Sequence, residues 1–260
     1  RQVIHQELML DDDEQAAFWP LYDKYDAEFR TLDAKYIDLV SEFVERYEAG
    51  EMSDDDADRL LDASLDIEMD RLQVRQRYVR HFRKILSGLQ VARLYQLGHK
   101  VRAEVDAALA LAGAGATLIR VACDDRIAAL ALYRVISAAP VPIVAEIPLD
   151  IEFAREAAAA GAACLAVRMT SPRPDQALVP LIAQARAHGL TLEIMAGAQI
   201  LKRVGDAERW PDSLANAALD WAQICTDHEF TDFVLSLESP DVLLAAAAYQ
   251  RLAAAVECPI

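Results

Sequence analysis

The sequence predicts an α plus α/β protein. An antiparallel three-helix bundle over residues 1–108 is followed by a partial (β/α) barrel or open parallel sheet over 109–260. Three observations carry this reading. Of ten prolines, only Pro20 precedes residue 140. Glycine is almost as uneven, with Gly50, Gly88 and Gly98 alone before Gly113. Apolar spacing also changes, from helical steps of three and four to short apolar runs separated by alanine-rich segments.

Each element has its own warrant. Phe18, Tyr22, Tyr25, Phe29, Leu32, Tyr36, Leu39 and Phe43 alternate steps of four and three, a heptad seam along one long helix. Asp11, Asp12 and Asp13 supply its N-cap and first-turn charge, Pro20 sits near its start, and Gly50 ends it. Ser53 caps a second helix, with Asp54, Asp55 and Asp56 in its first turn. That helix is expected to carry Leu61, Leu65, Met69, Leu72, Val79, Phe82 and Leu86 inward. Ser87 and Gly88 break the chain, and a third helix runs from about Leu89 into the alanines near 110.

Beyond residue 113, apolar runs at 117–123, 142–147, 163–168, 190–195 and 231–237 read as strands buried on both faces. Helical segments at 151–160, 175–187 and 213–226 lie between them. Gly161 and Gly189 are placed as C-cap glycines. Strand starts 21 to 41 residues apart are the rhythm of βα units. Five strands are legible and residues 259–260 are read as the start of a sixth, whereas a closed barrel of this kind needs eight. Residues 101–107 read as one helix shared by the two parts.

Charge and composition exclude several functions. With 42 acidic and 26 basic residues the formal charge is −16, which argues against binding a nucleic-acid backbone. No transmembrane segment is expected, because no apolar run approaches the ~20 residues a membrane helix needs. The four cysteines, Cys123, Cys164, Cys225 and Cys258, form no CxxC and read as buried reduced thiols. His5, His81 and His99 have no second ligand at helical spacing, so neither a metal site nor a cofactor is expected.

Charge is also sorted along the helical part. Residues 7–70 hold 22 acids and 5 bases, whereas residues 71–102 hold nine bases and no acid. An antiparallel return of the second helix sets the bases beside the acidic first helix. The alternative is a face for a protein partner or for self-association, drawn on Phe18, Tyr22, Tyr25, Phe29, Arg75, Arg80 and Arg83.

Two resemblances add to this. Phe18-Trp19-Pro20-Leu21-Tyr22-Asp23, Arg80-His81-Phe82-Arg83-Lys84-Ile85-Leu86 and Val91-Ala92-Arg93-Leu94-Tyr95-Gln96 resemble a bacterial family of exported helical proteins. These are relatives of the Spy/CpxP-like periplasmic stress proteins, and the likeness covers roughly residues 3–108. It implies an envelope location, a helical hairpin and a chaperone-like role. Leu97-Gly98-His99-Lys100 departs from the family's Glu-Asn-Lys.

Residues from about 113 to 260 resemble the middle of the barrel of hydroxymethylbutenyl diphosphate synthase, a cytoplasmic iron–sulfur enzyme of isoprenoid synthesis. Gly115-Ala116-Thr117-Leu118-Ile119-Arg120-Val121, Val141-Pro142-Ile143-Val144-Ala145-Glu146-Ile147 and Asp241-Val242-Leu243-Leu244 through Tyr249 carry the likeness. The resemblance implies substrate-binding positions at Arg120, Glu146, Arg168 and Ser236. Several family positions differ: Glu146 and Pro148 stand for Asp and His, Ala166 and Glu193 for Arg, Gly197 for Asn, and Val234 and Glu238 for Lys. Fixed cations are what hold a diphosphate, so these replacements argue against a diphosphate ligand. Ala166, Ala196 and Gly197 read as a roomy, uncharged mouth. Glu146 with Asp150, or Glu193 with Glu238, is a candidate acid pair, although solvated carboxylates are the plainer reading.

No catalytic residue is assigned. The expected function is a non-catalytic interaction or chaperone-like module fused to a degenerate isoprenoid-synthase-like barrel. The alternatives are a diphosphate-binding homologue of the synthase and a structural subunit of a larger complex.

Overall fold

A computed structural model describes residues 2–169, 176–197 and 210–256. The chain divides into two compact units, one of residues 1–117 with 137–140, the other of 118–136 with 141–260.

The first unit is helical, with α1 (Gln2–Leu8), α2 (Asp12–Glu48), α3 (Asp54–Phe82) and α4 (Gly88–Gly113). Asp11 and Glu14 close a capping box at the start of α2, and Ser87 and Gln90 close another at the start of α4. Each box satisfies amide groups that the first helical turn leaves without partners. Helix α2 runs unbroken through Pro20, and α4 runs unbroken through residues 101–107. The aromatic seam of α2 packs on α3, with Phe18 5.6 Å and Tyr25 5.7 Å from Phe82, ring centre to ring centre.

Helix α1 was not legible in the sequence. Its Ile4 and Leu8, with Leu10 beyond it, are buried, and Glu7 pairs with Arg93 of α4 at 2.5 Å.

One carboxylate ties three helices together. Asp33 of α2 accepts a hydrogen bond from Arg71 of α3 at 3.0 Å and another from Arg102 of α4. Both guanidiniums lie over the Tyr36 ring, at 4.9 and 5.6 Å. Arg71 also pairs with Glu68. A guanidinium sealed this far from water persists only when its charge is matched on site.

The structure corrects the inward face of α3. Leu61, Leu65, Met69 and Leu72 are 58%, 55%, 60% and 52% exposed. The buried face instead carries Leu60, Ile67, Arg71, Val74, Tyr78 and Phe82. Arg71 and Tyr78 read as polar in the sequence, but their hydrogen bonds to Asp33 and Glu28 make them interior residues. The basic run is neutralised from within in part, since Arg77 pairs with Glu28 and Arg71 with Asp33.

The second unit alternates β1 (Ile119–Ala122), α5 (Arg126–Ala138), β2 (Ile143–Ile147), α6 (Ile151–Ala160), β3 (Cys164–Arg168), α7 (Leu178–His188), β4 (Thr191–Gly197), α8 (Trp210–Asp227), β5 (Phe233–Glu238) and α9 (Val242–Ala253). All five strands fall within two residues of their expected bounds. The sequence reading did not resolve α5 and α9, and the expected strand start at 259–260 lies outside the described residues.

The sheet is parallel in the order β1-β2-β3-β4-β5. Right-handed crossovers in a sequential sheet put every helix on one face. Leu165, Leu192, Ile194 and Leu235 fill that face, and Trp221 of α8 is sealed in the same unit. Gly161 (φ +93°) and Gly189 (φ +63°) end α6 and α7 in the left-handed conformation that glycine adopts without strain. At β5, the Leu237 amide donates to the hydroxyl of Tyr249 in α9 at 2.9 Å.

Candidate functional site

The sheet face away from the helices holds the candidate site. Side chains alternate along a strand, and the register stacks like-facing positions across neighbouring strands. Arg120 is aligned with Val144, Glu146 with Ala166, Ala166 with Glu193, Arg168 with Met195, Met195 with Ser236 and Gly197 with Glu238. Five strands therefore deliver Arg120, Glu146, Arg168, Glu193, Ser236 and Glu238 to one surface.

The charged members lock together. Arg120 Nη2 donates to both oxygens of Glu193 at 2.8 Å, and its Nη1 lies 4.0 Å from Glu146. Arg168 pairs with Glu146 and stands 3.9 Å from Glu238. Arg120 Nη1 also reaches Met195 Sδ at 2.9 Å. Beneath this layer lies a buried apolar floor of Val144, Ala166 and Met195, with Cys164 packed against it.

The electrostatics follow from that packing. Partial burial works against the Arg120 charge, but the Glu193 carboxylate, with Glu146 and Glu238 behind it, outweighs burial and raises its pKa. Burial first, then the Glu193 charge, pushes the Cys164 thiol up to about 11. A thiol so raised is protonated at neutral pH and is a poor nucleophile.

The sequence-derived candidates meet different outcomes. Arg120, Glu146, Arg168 and Ser236 share the face. Glu193 and Glu238, read as groups that repel a diphosphate, are engaged by the two arginines. The signal that locates this network is the alternation along strands whose positions were already legible. Glu146 and Asp150 do not form an acid pair, because Asp150 caps α6 by accepting from the Glu152 amide. The mouth is not roomy: Ala166 lies buried beside Met195, and Ala196 falls on the helix-covered face.

In the helical unit, Phe18 is fully buried, and Tyr22, Tyr25 and Phe29 are half-buried in the aromatic seam. Phe18 is therefore no part of an exposed interaction face, since its ring is spent on α3. Arg75 lies over the Phe29 ring at 5.5 Å, while Arg80 and Arg83 stay exposed.

The resemblance to the synthase implies an iron–sulfur cluster. The residues present do not fit one. Cys123 and Cys225 are buried and Cys164 is half-buried; Cys123 follows β1, Cys164 lies in β3 and Cys225 in α8. Among the described residues no three His, Cys, Asp or Glu side chains are grouped to hold a metal. Cys258 lies outside the described residues.

A one-sided parallel sheet in sequential order, with its charged side chains gathered on the bare face, defines a barrel-type α/β protein. The family model for the GcpE TIM-barrel domain matches residues 95–260, and the chain belongs to that family. The match begins within α4. Its relatives include 4-hydroxy-3-methylbut-2-en-1-yl diphosphate synthase (flavodoxin) of Ruegeria sp. (strain TM1040), 37% identical over 156 residues, or 58% of this chain and 41% of that protein. The synthases of the same name from Acidiphilium cryptum (37% over 152 residues) and Zymomonas mobilis (36% over 151) each align over 56% of this chain and 40% of their own length. The chain thus spans about two fifths of the curated relatives it matches. Between the expectations raised by the sequence, these matches favour the synthase homologue over the non-catalytic chaperone-like protein.

Proposed function

We propose that the βα unit recognises a phosphorylated small molecule of the kind named for its relatives, an isoprenoid-type diphosphate. The observation that supports this most is the meeting of Arg120 and Arg168 on one sheet face, bridged by Glu146. A guanidinium fork matches a phosphate as well as it matches a carboxylate. Ligand oxygens take the place of Glu193 on Arg120 and of Glu146 on Arg168. The floor of Val144, Ala166 and Met195 then meets a short hydrocarbon chain. The proposal concerns binding, and no step is routed through a cluster. Calorimetric titration with 4-hydroxy-3-methylbut-2-en-1-yl diphosphate tests it. Binding that weakens at least about tenfold in Arg120→Ala supports it, whereas no heat at millimolar ligand ends it.

A second reading concerns the helical unit, for which we propose an antiparallel interaction bundle akin to exported stress proteins. The exposed apolar residues of α3 favour it, because contiguous apolar surface on a folded protein marks a contact site. Heat-denatured malate dehydrogenase is the test client. The chain should slow its aggregation at equimolar ratio, and unchanged light scattering overturns this reading.

A further inference from the structure

The face that α3 turns to solvent is ordered by chemistry along its length. At 3.6 residues per turn, Asp54, Asp58, Leu61, Leu65, Met69, Leu72, Arg80 and Arg83 fall within about 100° of one another around the helix. Acids come first, the four apolar side chains dominate the middle, where Asp62 and Gln76 also fall on the arc, and bases come last. The opposite side packs into the unit through Leu60, Ile67, Val74, Tyr78 and Phe82. Among the described residues no ion pair engages Asp54, Asp58, Arg80 or Arg83. The bases on α3 that do find partners within the chain, Arg59, Arg71 and Arg77, lie off this stripe.

We propose that this stripe is a self-association surface, in which the α3 helices of two copies pair antiparallel about a two-fold axis level with Ile67. The inference rests on reading the helical unit as an interaction module, and it names the partner. A two-fold contact uses the same patch on both copies, so the patch must be complementary to itself when reversed. This one is. Reversal about Ile67 sets Leu65 opposite Met69 and Asp54 opposite Arg80, each pair occurring twice. Asp58 lies between the apolar centre and the outer charges. Parallel pairing sets acid on acid and base on base, which like-charge repulsion forbids. An acidic or a basic client would satisfy only one end of the stripe.

Sedimentation equilibrium of the full chain at concentrations up to about 100 µM is the test. The expected species has twice the 28.7 kDa chain mass. Leu65→Lys with Met69→Lys should weaken association at least about hundredfold, with the helical circular dichroism unchanged. Asp54→Lys should weaken it, as should Arg80→Glu, and both changes in one chain should restore it. A wild-type monomer at the highest concentration overturns the proposal, as does a dimer indifferent to the leucine and methionine replacements or not restored by the paired charge reversal. A monomer that still protects malate dehydrogenase sinks self-association alone. A dimer without that protection sinks only the client-binding reading.

Discussion

Asp33→Asn is expected to cost the helical unit more than Arg71→Met, although Arg71 is the more deeply buried. Arg71 is 1% exposed and shares Asp33 with Arg102. Neutralising Asp33 leaves Arg71 with Glu68 alone, and that carboxylate is 57% exposed and well screened. Removing one partner of a buried pair costs about 3–5 kcal/mol. The Glu68 contact and the 22% exposure of Asp33 reduce this to about 2–3 kcal/mol. Methionine in place of Arg71 keeps an unbranched stem against Tyr36 and leaves Asp33 paired with Arg102. A change of that kind costs below about 1.5 kcal/mol. Native-state hydrogen exchange of the α3 amides reads the difference locally. Asp33→Asn should lower protection about 30- to 150-fold, since each 1.4 kcal/mol is tenfold, and Arg71→Met should lower it less. Protection in Asp33→Asn within about threefold of wild type, or a larger loss in Arg71→Met, would refute the shared-carboxylate argument.

Two further outcomes are expected. Glu193→Gln removes the carboxylate held by Arg120 Nη2, so inorganic pyrophosphate should bind at least about tenfold tighter than to wild type in calorimetry; equal or weaker binding contradicts the exchange of carboxylate for phosphate. Cys164 holds its proton to about 11 in the folded chain, against an ordinary value of 9.0. The folded state therefore binds the proton more tightly, and the associated stability is intact below pH 9 and lost as pH rises towards 11. The urea midpoint of wild type should fall relative to Cys164→Ala across that window, and a constant difference between the two counts against a buried neutral thiol.

The strands were legible because short apolar runs such as 143–147 and 164–168, set between segments of helical spacing, have a single reading. Helices α2 and α3 announced themselves through Asp11 and Ser53, whose side chains have one use at a helix start, and α4 through the break at Ser87 and Gly88. What failed was the orientation of α3. Hydrophobicity was taken as a proxy for depth, and the leucine-rich face turned out to be the outer one. Arg71 reaches the interior through Asp33 on α2, a carboxylate it shares with Arg102 of α4, and no local pattern encodes that. The charged layer on the sheet was half legible. Its residues were named one by one, but the cross-strand register that joins Arg120 to Glu193, 73 positions away, is a property of the sheet.

The hydroxyl of Tyr249 has a meaning for growth of the sheet. In a parallel sheet, alternate residues turn both amide and carbonyl to the same neighbour. The Leu237 amide that Tyr249 accepts is one that a strand laid beside β5 would claim. Helix α9 thus puts a stopper in the outer rim of β5, and a newcomer must evict a phenol before the first rung of its ladder can form. An edge kept shut this way resists casual pairing with stray chains, yet it yields to any strand that supplies a carbonyl at that one rung.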